Sequence, residues 1–200
     1  MESLIGVALF LLGATSASFM GLVAARLYTG EPIAKGRSKC DVCGKTLSVA
    51  SLVPVLSHVF SRGRARCCGS RLSPVSPASE LLLGLLFVLV YLHLGLSPAL
   101  PGFLIALSAL TGLVLYDFAH QILPPVLLSV FVGASAATGL VAYPDFAAVV
   151  APSAILVGGI LLLIHLLSAG RAMGFSDAPL AFGLALLTGP VALSGFIYSF

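Results

Sequence analysis

Long apolar runs separated by short polar breaks make up most of this chain. The first run covers residues 3–28, and about 20 apolar residues are enough for a helix to cross a bilayer. It is too long for a signal-peptide core and follows no basic region, so we predict a retained helix. Five later runs cover residues 78–96, 100–116, 125–143, 146–167 and 178 onward. The pattern predicts an all-α polytopic membrane protein with about six transmembrane helices.

Proline positions refine two of these helices. The Pro124-Pro125 pair suits the opening of the fourth helix, because proline is tolerated in a first helical turn. The Gly189-Pro190 pair interrupts the last apolar run. The chain stops at Phe200, about ten residues later and still apolar. Both a truncated gene product and a minimal form are compatible with such an end.

Composition supports the membrane assignment. Hydrophobic residues make up 59% of the 200 residues, charged residues only 8%, and the mean hydropathy is +1.13. A soluble domain carries about 25% charged residues, so the composition excludes an ordinary soluble fold. The lipid bilayer is therefore the first expected partner.

One polar segment stands apart from the apolar runs. Nine of the ten basic residues lie between Arg26 and Arg71, together with all four cysteines. The positive-inside rule places this segment in the cytoplasm and the N-terminus outside. Since membrane topology already explains the charge, we expect no nucleic-acid partner. We predict three parts: a first helix at 1–28, a small cysteine-containing basic domain at 29–77, and a transmembrane domain at 78–200.

Two aspartates are the candidate catalytic residues. Asp117 follows the third apolar run and Asp177 precedes the last one. Counting crossings puts both at the cytoplasmic boundary. An acid at the centre of a membrane helix costs about 2.5 kcal/mol or more, so an acid in such a protein is a functional candidate. Glu80 is interpreted as a helix-start acid, favoured by the positive end of the helix dipole.

Paired carboxylates suggest a reaction. Two close carboxylates cannot both ionise, so one keeps a proton while the other takes one from water. The activated water can attack a peptide carbonyl without a metal or a covalent nucleophile. His120 lies three residues after Asp117 and would share its helical face, with a structural role favoured over tuning of the acid. His93 and His165 are expected to be hydrogen-bonded packing residues.

The cysteines suggest a metal site. Cys40 and Cys43 form a C-x-x-C knuckle followed by Gly44, a spacing that lets two thiolates share one zinc ion. Cys67 and Cys68 are adjacent, which is poorer geometry for two ligands of one ion. A disulfide is not expected in a reducing cytoplasm. We expect structural Zn²⁺ held by these cysteines, with His58 as a substitute ligand and a metal-free remnant as the alternative.

The order of these motifs resembles that of the bacterial prepilin peptidases, also called type IV leader peptidases, which are membrane aspartic proteases. The first helix carries Ser18-Phe19 and Arg26-Leu27. The polar segment carries the knuckle at residues 40–43 and then three short stretches: Val53-Pro54-Val55-Leu56-Ser57, Arg62-Gly63-Arg64 and Cys68-Gly69. Glu80-Leu81-Leu82 matches the start of the family's second span. The resemblance extends from the first helix to about Gly189.

Both catalytic motifs of the family have counterparts here. Asp117-x-x-His120-x-x-Leu123-Pro124 resembles the first motif, and Gly174-Phe175-Ser176-Asp177 stands where the family carries G-x-G-D. The resemblance implies Asp117 and Asp177 as the catalytic pair. It implies supporting roles for the other motif residues: His120, Pro124, Gly174 and Ser176.

The resemblance also implies a substrate and a location. A prepilin or pseudopilin would be cleaved after its basic leader, at the cytoplasmic boundary of the bacterial inner membrane. Many members of the family also methylate the new amino terminus with S-adenosylmethionine, a role associated with the cytoplasmic domain.

Departures from the family pattern, among them the largely missing spans after the second acid, leave other functions open. Ser176 replaces the second glycine of G-x-G-D, which reduces backbone freedom beside the acid. Pro179 stands where the family usually has lysine, and Ala65 occupies a cysteine position for which Cys67 is the nearby stand-in. One alternative is a degenerate homologue that binds pilin-like helices without cutting them. The other is a small transporter or proton-relay protein that uses the two acids.

Overall fold

The computed structural model of the protein describes residues 2–33, 42–46, 61, 63–65 and 67–198. Seven α-helices occur in these residues: α1 (Glu2–Thr29), α2 (Val75–Leu94), α3 (Leu100–His120), α4 (Pro125–Ala142), α5 (Ala151–Leu167), α6 (Asp177–Thr188) and α7 (Ala192–Tyr198). A π-helical turn, Phe146–Val150, leads into α5, and a 3-10 turn, Gly189–Val191, joins α6 to α7.

Six segments of the described chain are long and apolar enough to cross a membrane. They are Glu2–Thr29, Val75–Leu94, Leu100–His120, Pro125–Ala142, Phe146–Leu167 and Asp177–Ile197. Between its two ends, a helix pairs its backbone N–H and C=O groups internally, which an apolar environment requires. The predicted all-α polytopic fold with about six membrane helices is thus confirmed, and the predicted interruption at Gly189-Pro190 appears as the 3-10 turn.

Two helix boundaries differ from the sequence prediction. Helix α2 begins at Val75, where the hydroxyl of Ser73 accepts a hydrogen bond from the Val75 N–H at 3.3 Å. Such a cap satisfies a donor that the first helical turn leaves open. Helix α3 continues through His120, so Asp117 lies inside its last turn. Asp117 and His120 therefore do share one helical face, as predicted.

The chain forms two compact units: Met1–His93 with Val114–Gln121, and Leu94–Leu113 with Ile122–Phe200. In the first unit α1 and α2 meet through glycines. A Cβ at Gly13 would lie 2.7 Å from the carbonyl oxygen of Leu83, and one at Gly84 would lie 2.8 Å from the ring of Phe10. Only hydrogen fits at these positions, so the two backbones approach closely, as small residues allow in membranes.

In the second unit, α6 packs against both α4 and α5. Its core is formed by small and branched residues: Val150, Ala154, Val157, Ala185, Leu186 and Ala192. Gly189 has a φ of 68° and faces the ring of Tyr143, whose hydroxyl donates to the carbonyl of Leu187 at 3.0 Å. A left-handed glycine followed by proline ends α6 here.

Candidate active site and metal centre

Asp117 is exposed near the C-terminal end of α3. Its backbone carbonyl accepts a hydrogen bond from the Gln121 N–H at 2.8 Å. Gln121 itself has a φ of 55°, in the left-handed region, and this residue ends the helix. Left-handed residues commonly close helices in this way, although glycine is the usual choice. The carboxylate is thus presented on the last turn of α3.

His120 is fixed by two aromatic contacts within the first unit. Its ring stacks on Tyr28 at the end of α1, with centroids 3.7 Å apart and planes inclined by 9°. Tyr116 meets it edge-on at 4.7 Å and 61°. The stacking on Tyr28 attaches the end of α3 to the end of α1, and Tyr116 supports the ring from within α3. Pro124 is buried and precedes α4, where its carbonyl accepts the N–H of Leu128 at 3.1 Å.

Asp177 is the first residue of α6 and closes a short turn with Gly174. The Gly174 N–H donates to Oδ2 of Asp177 at 3.0 Å, and the Asp177 N–H donates to the carbonyl of Gly174 at 3.3 Å. A Cβ at Gly174 would sit 3.4 Å from Oδ2. The carboxylate therefore has a defined orientation at a helix N-terminus, where negative charge is favoured.

Ser176 and Pro179, which depart from the family pattern, both fit the local backbone without strain. Ser176 has φ −68° and ψ −18°, right-handed values that any residue adopts. The position therefore does not need the freedom of glycine here. Pro179 lies in the first turn of α6, where a missing N–H costs no helical hydrogen bond.

His165 contributes to the surroundings of Asp177, although neither sequence motif includes it. It lies in the last turn of α5, and its Nδ1 is 2.8 Å from the carbonyl oxygen of Met173. Its ring meets Phe175 edge-on at 5.8 Å and 69°. The prediction of a hydrogen-bonded packing residue is confirmed for His165. It is wrong for His93, which is exposed at the end of α2.

Glu80 also differs from its prediction. Because α2 starts at Val75, Glu80 lies in the second turn rather than at the helix start, and it is buried at 6% exposure. Its Oε1 accepts a hydrogen bond from the Ser76 hydroxyl at 3.3 Å. The helix dipole acts mainly within the first turn. Glu80 thus lies beyond the turn on which the dipole acts, and it accepts a hydrogen bond from its own helix.

An apolar groove of about 430 Å³ lies beside Asp177. It runs between α5 and α6 and is lined by Ile155, Gly158, Gly159, Leu162, Phe175, Ala178, Pro179 and Phe182. Phe175 lies two residues before Asp177 in the chain, and Ala178 directly follows it. The groove thus places an apolar surface next to a carboxylate in the second unit.

Three cysteines come together in the polar segment. The sulfur atoms of Cys43, Cys67 and Cys68 all lie within 4.8 Å of one another. The distance is 3.3 Å between Cys43 and Cys67 and 3.8 Å between Cys67 and Cys68. Tetrahedral zinc, with Zn–S bonds of about 2.3 Å, separates its sulfur ligands by about 3.8 Å. The adjacent pair therefore fits one ion better than its spacing suggested, while Cys40 and His58 lie outside the described residues.

A small turn supports this cluster. The N–H of Ala65 donates to the carbonyl of Ser70 at 2.8 Å, and the N–H of Gly69 donates to the carbonyl of Ala65 at 2.7 Å. Gly69 has a φ of 72°, which favours glycine. Ala65 is buried under the turn, and the neighbouring sulfur belongs to Cys67.

Asp117 belongs to the first compact unit and Asp177 to the second. Each is described within its own unit, and their action as a pair stays a prediction.

Comparison with known proteins shows what the chain is similar to. Residues 11–94 match the bacterial peptidase A24 N-terminal domain, a segment that ends before both aspartates. The chain is 37% identical over 119 residues to a prepilin leader peptidase/N-methyltransferase of Myxococcus xanthus. The chain is a relative of the bacterial prepilin peptidases. The resemblance found in the sequence is thereby confirmed.

Two further relatives carry the same name. The protein of Bacillus subtilis is 34% identical over 102 residues, and that of Klebsiella pneumoniae is 37% identical over 126 residues. The matches cover 60%, 51% and 58% of this chain, but only 36%, 41% and 54% of the three relatives. The chain thus spans between about a third and a half of their length. No solved structure matches it. With bacterial relatives and six apolar helices, it is a multi-pass bacterial membrane protein.

Proposed function

We propose that this prepilin peptidase relative is a membrane-embedded aspartic endopeptidase that removes the leader of type IV prepilins or pseudopilins. The observation that carries the proposal is its similarity to proteins named prepilin leader peptidase/N-methyltransferase. The two acids support it: Asp117 is exposed on the last turn of α3, and Asp177 is oriented at the start of α6. Both stand in segments that resemble the family's catalytic motifs.

In this proposal the two carboxylates act as one unit that shares a proton. The ionised carboxylate takes a proton from water, and the water oxygen bonds to the scissile carbonyl carbon. The protonated carboxyl group hydrogen-bonds the carbonyl oxygen as negative charge develops there. Collapse of the tetrahedral intermediate breaks the C–N bond, and the amine leaves with a proton from the pair. Because the two carboxyl groups share one proton in this mechanism, we assign neither role to one residue.

The substrate and its orientation follow from the topology that we propose. The basic segment lies in the cytoplasm and the N-terminus outside the bacterial inner membrane, as the positive-inside rule requires. Asp117 and Asp177 then face the cytoplasmic boundary, where a basic leader joins an apolar pilin helix. The groove between α5 and α6 would hold that apolar helix, because it is lined by apolar residues beside Asp177.

We propose two further roles for the cysteine-containing segment. We propose that structural zinc is bound by Cys43, Cys67 and Cys68, with Cys40 as the fourth ligand; three sulfurs within 4.8 Å of one another support this. Bound zinc would fix the fold of this short segment. We also propose N-methylation of the new terminus with S-adenosylmethionine, because the relatives' name includes N-methyltransferase. The mass of the cleaved product would reveal an added methyl group.

A cleavage assay tests the proposal. Full-length protein in liposomes is mixed with a prepilin, and cleavage is followed for the wild type, Asp117→Asn and Asp177→Asn. Each substitution should lower kcat by at least about 10³-fold, since residues that act as one unit fail together. The control is Asp145→Asn, an exposed acid in the turn between α4 and α5.

The assay also separates the alternatives. Cleavage that survives either substitution contradicts the aspartic mechanism. A wild-type protein that binds the prepilin helix but never cuts it is a degenerate homologue. Proton flux that either Asn substitution abolishes, without cleavage in the wild type, identifies a proton-relay protein.

A further inference from the structure

One peptide group links His165 to Asp177. The carbonyl of Met173 can only accept a hydrogen bond, so the Nδ1 of His165 at 2.8 Å must carry the proton and donate. The N–H at the other end of that same peptide group belongs to Gly174. It donates to Oδ2 of Asp177 at 3.0 Å. Two hydrogen bonds in series thus run from the imidazole, through the Met173–Gly174 peptide, to the carboxylate.

The geometry of a trans peptide suits this arrangement. Its C=O and N–H groups point in opposite directions in one rigid plane. His165 and Asp177 therefore hold the peptide from opposite sides, and fixing the carbonyl also fixes the direction of the N–H. Hydrogen bonds in series also polarise each other, so each strengthens the next.

Further contacts keep His165 and the loop in place. The Gly170 N–H donates to the backbone carbonyl of His165 at 2.9 Å, and the Ala169 N–H donates to that of Leu166 at 3.2 Å. This pair of bonds is the Schellman closure of a helix, with Ala169 at a φ of 50°. The ring of Phe175 meets the imidazole from the other end of the loop. His165 thus touches both ends of the segment that delivers Asp177.

We propose that His165 is a positioning residue for Asp177: its Nδ1–H fixes the Met173–Gly174 peptide so that the Gly174 N–H holds the carboxylate in one orientation. The inference deepens the proposed function and rests on it for the catalytic meaning of Asp177. A histidine that only fills space would not need its Nδ1–H. Any side chain of similar size would then serve equally well.

The first test is independent of cleavage. Hydrogen–deuterium exchange is measured for the Gly174 amide in the full-length protein, in the wild type, His165→Asn and His165→Leu. An Asn side chain can place an amide N–H near the position of Nδ1, whereas Leu has no donor. Exchange at Gly174 should be about tenfold faster in His165→Leu, as expected for losing a hydrogen bond to a charged group. His165→Asn should stay close to the wild type.

Two controls define how the exchange rates are interpreted. Asp177→Ala removes the acceptor and should accelerate exchange at Gly174 to the same extent. His165→Gln places its amide near Nε2 rather than Nδ1, so it should behave like His165→Leu while keeping a polar side chain. It also replaces the Leu variant should that one fail to fold. If the Gly174 amide exchanged at the wild-type rate in a folded variant that lacks the Nδ1 donor, the proposal would be overturned.

The second test uses cleavage of a prepilin. A misoriented carboxylate stabilises the transition state less well but leaves substrate binding intact. His165→Leu should therefore lower kcat about tenfold with KM unchanged. His165→Asn should recover most of the activity. Equal activity of the Asn and Leu variants would overturn the role. Should the wild type cleave nothing, the proposed function fails, while exchange at Gly174 still decides whether His165 positions the carboxylate.

Discussion

The imidazole of His120 stacks on the ring of Tyr28, with ring centroids 3.7 Å apart and planes inclined by 9°. Since Asp117 lies one turn before His120 on the same helix face, this contact fixes the segment that carries the acid. The side chain of Tyr28 remains 64% exposed. Among the described residues, its ring contact is the stacking on His120. An aromatic ring at position 28 is therefore required for this contact.

Replacing Tyr28 tests that requirement. Tyr28→Ala removes the ring and should lower the free energy of unfolding of the protein in detergent by about 0.5–1.5 kcal/mol, the usual worth of an aromatic pair. It should also lower prepilin cleavage, because the last turn of α3 is loosened. Tyr28→Phe keeps the ring and should match the wild type in both measurements. Equal stability of the Ala and Phe variants would show that the stacking contributes nothing.

The contact between α1 and α2 depends on Gly13. An added Cβ would meet the backbone of Leu83 and Gly84 at 2.7–2.8 Å, and backbone atoms cannot move aside as a side chain can. Gly13→Ala should therefore destabilise the protein by about 1–3 kcal/mol, the usual cost of overpacking. Thermal unfolding in detergent measures it. Gly6→Ala, on the same helix with no described atom within 4 Å of its Cβ position, should be neutral or stabilising.

Gln121 stores backbone strain immediately after the Asp117 motif. A left-handed conformation costs a non-glycine residue about 1–2 kcal/mol, part of which glycine's greater freedom in the unfolded chain offsets. Gln121→Gly should therefore raise the unfolding free energy by up to about 1 kcal/mol. Ala119→Gly, two residues earlier in the helix, should lower it by a similar amount. Denaturant unfolding measures both variants. If the two substitutions changed the free energy of unfolding in the same direction, backbone strain at Gln121 would be contradicted.

Gly159 allows the groove to be filled without disturbing the packing of α5 and α6. None of the described atoms lies within 4 Å of a Cβ placed there, whereas a Cβ at Gly158 would lie 2.9 Å from Phe182. Gly159→Leu should therefore raise KM for a prepilin several-fold with little change in stability. Gly133→Leu is the matched control, because Gly133 is an open helix position outside the groove. An unchanged KM would show that the substrate helix does not use the groove.

Metal content tests the cysteine cluster. Purified protein under reducing conditions should contain about one zinc per chain, the load of one four-ligand site. Cys67→Ser should abolish binding if Cys67 supplies the sulfur that residue 65 lacks. Ser70→Ala, which removes a hydroxyl 3.1 Å from the sulfur of Cys68, should leave the zinc content unchanged. A wild-type protein without zinc would identify the cluster as a metal-free remnant.

The sequence by itself determined the membrane helices and the candidate acids. A run of about 20 apolar residues can satisfy its backbone in lipid only as a helix, so composition is sufficient to predict the spans. Asp117 and Asp177 could be selected because acids are few in such a chain and stand in recognisable motifs. The end of α3 and the start of α2 were harder to predict from the sequence. The first is defined by a left-handed Gln121 and the second by a Ser73 cap.

Only the tertiary structure decided which residues meet. The hydrogen bond from His165 ends on a backbone carbonyl, a group that every residue has, so position 173 carries no sequence signal for it. Gly6 and Gly13 look alike in the first helix, yet only Gly13 faces another backbone. Glu80 resembled a helix-start acid in the sequence, but α2 begins at Val75 and the side chain of Glu80 is buried. Periodicity and composition describe how a segment relates to its solvent, whereas these contacts depend on close packing between distant segments.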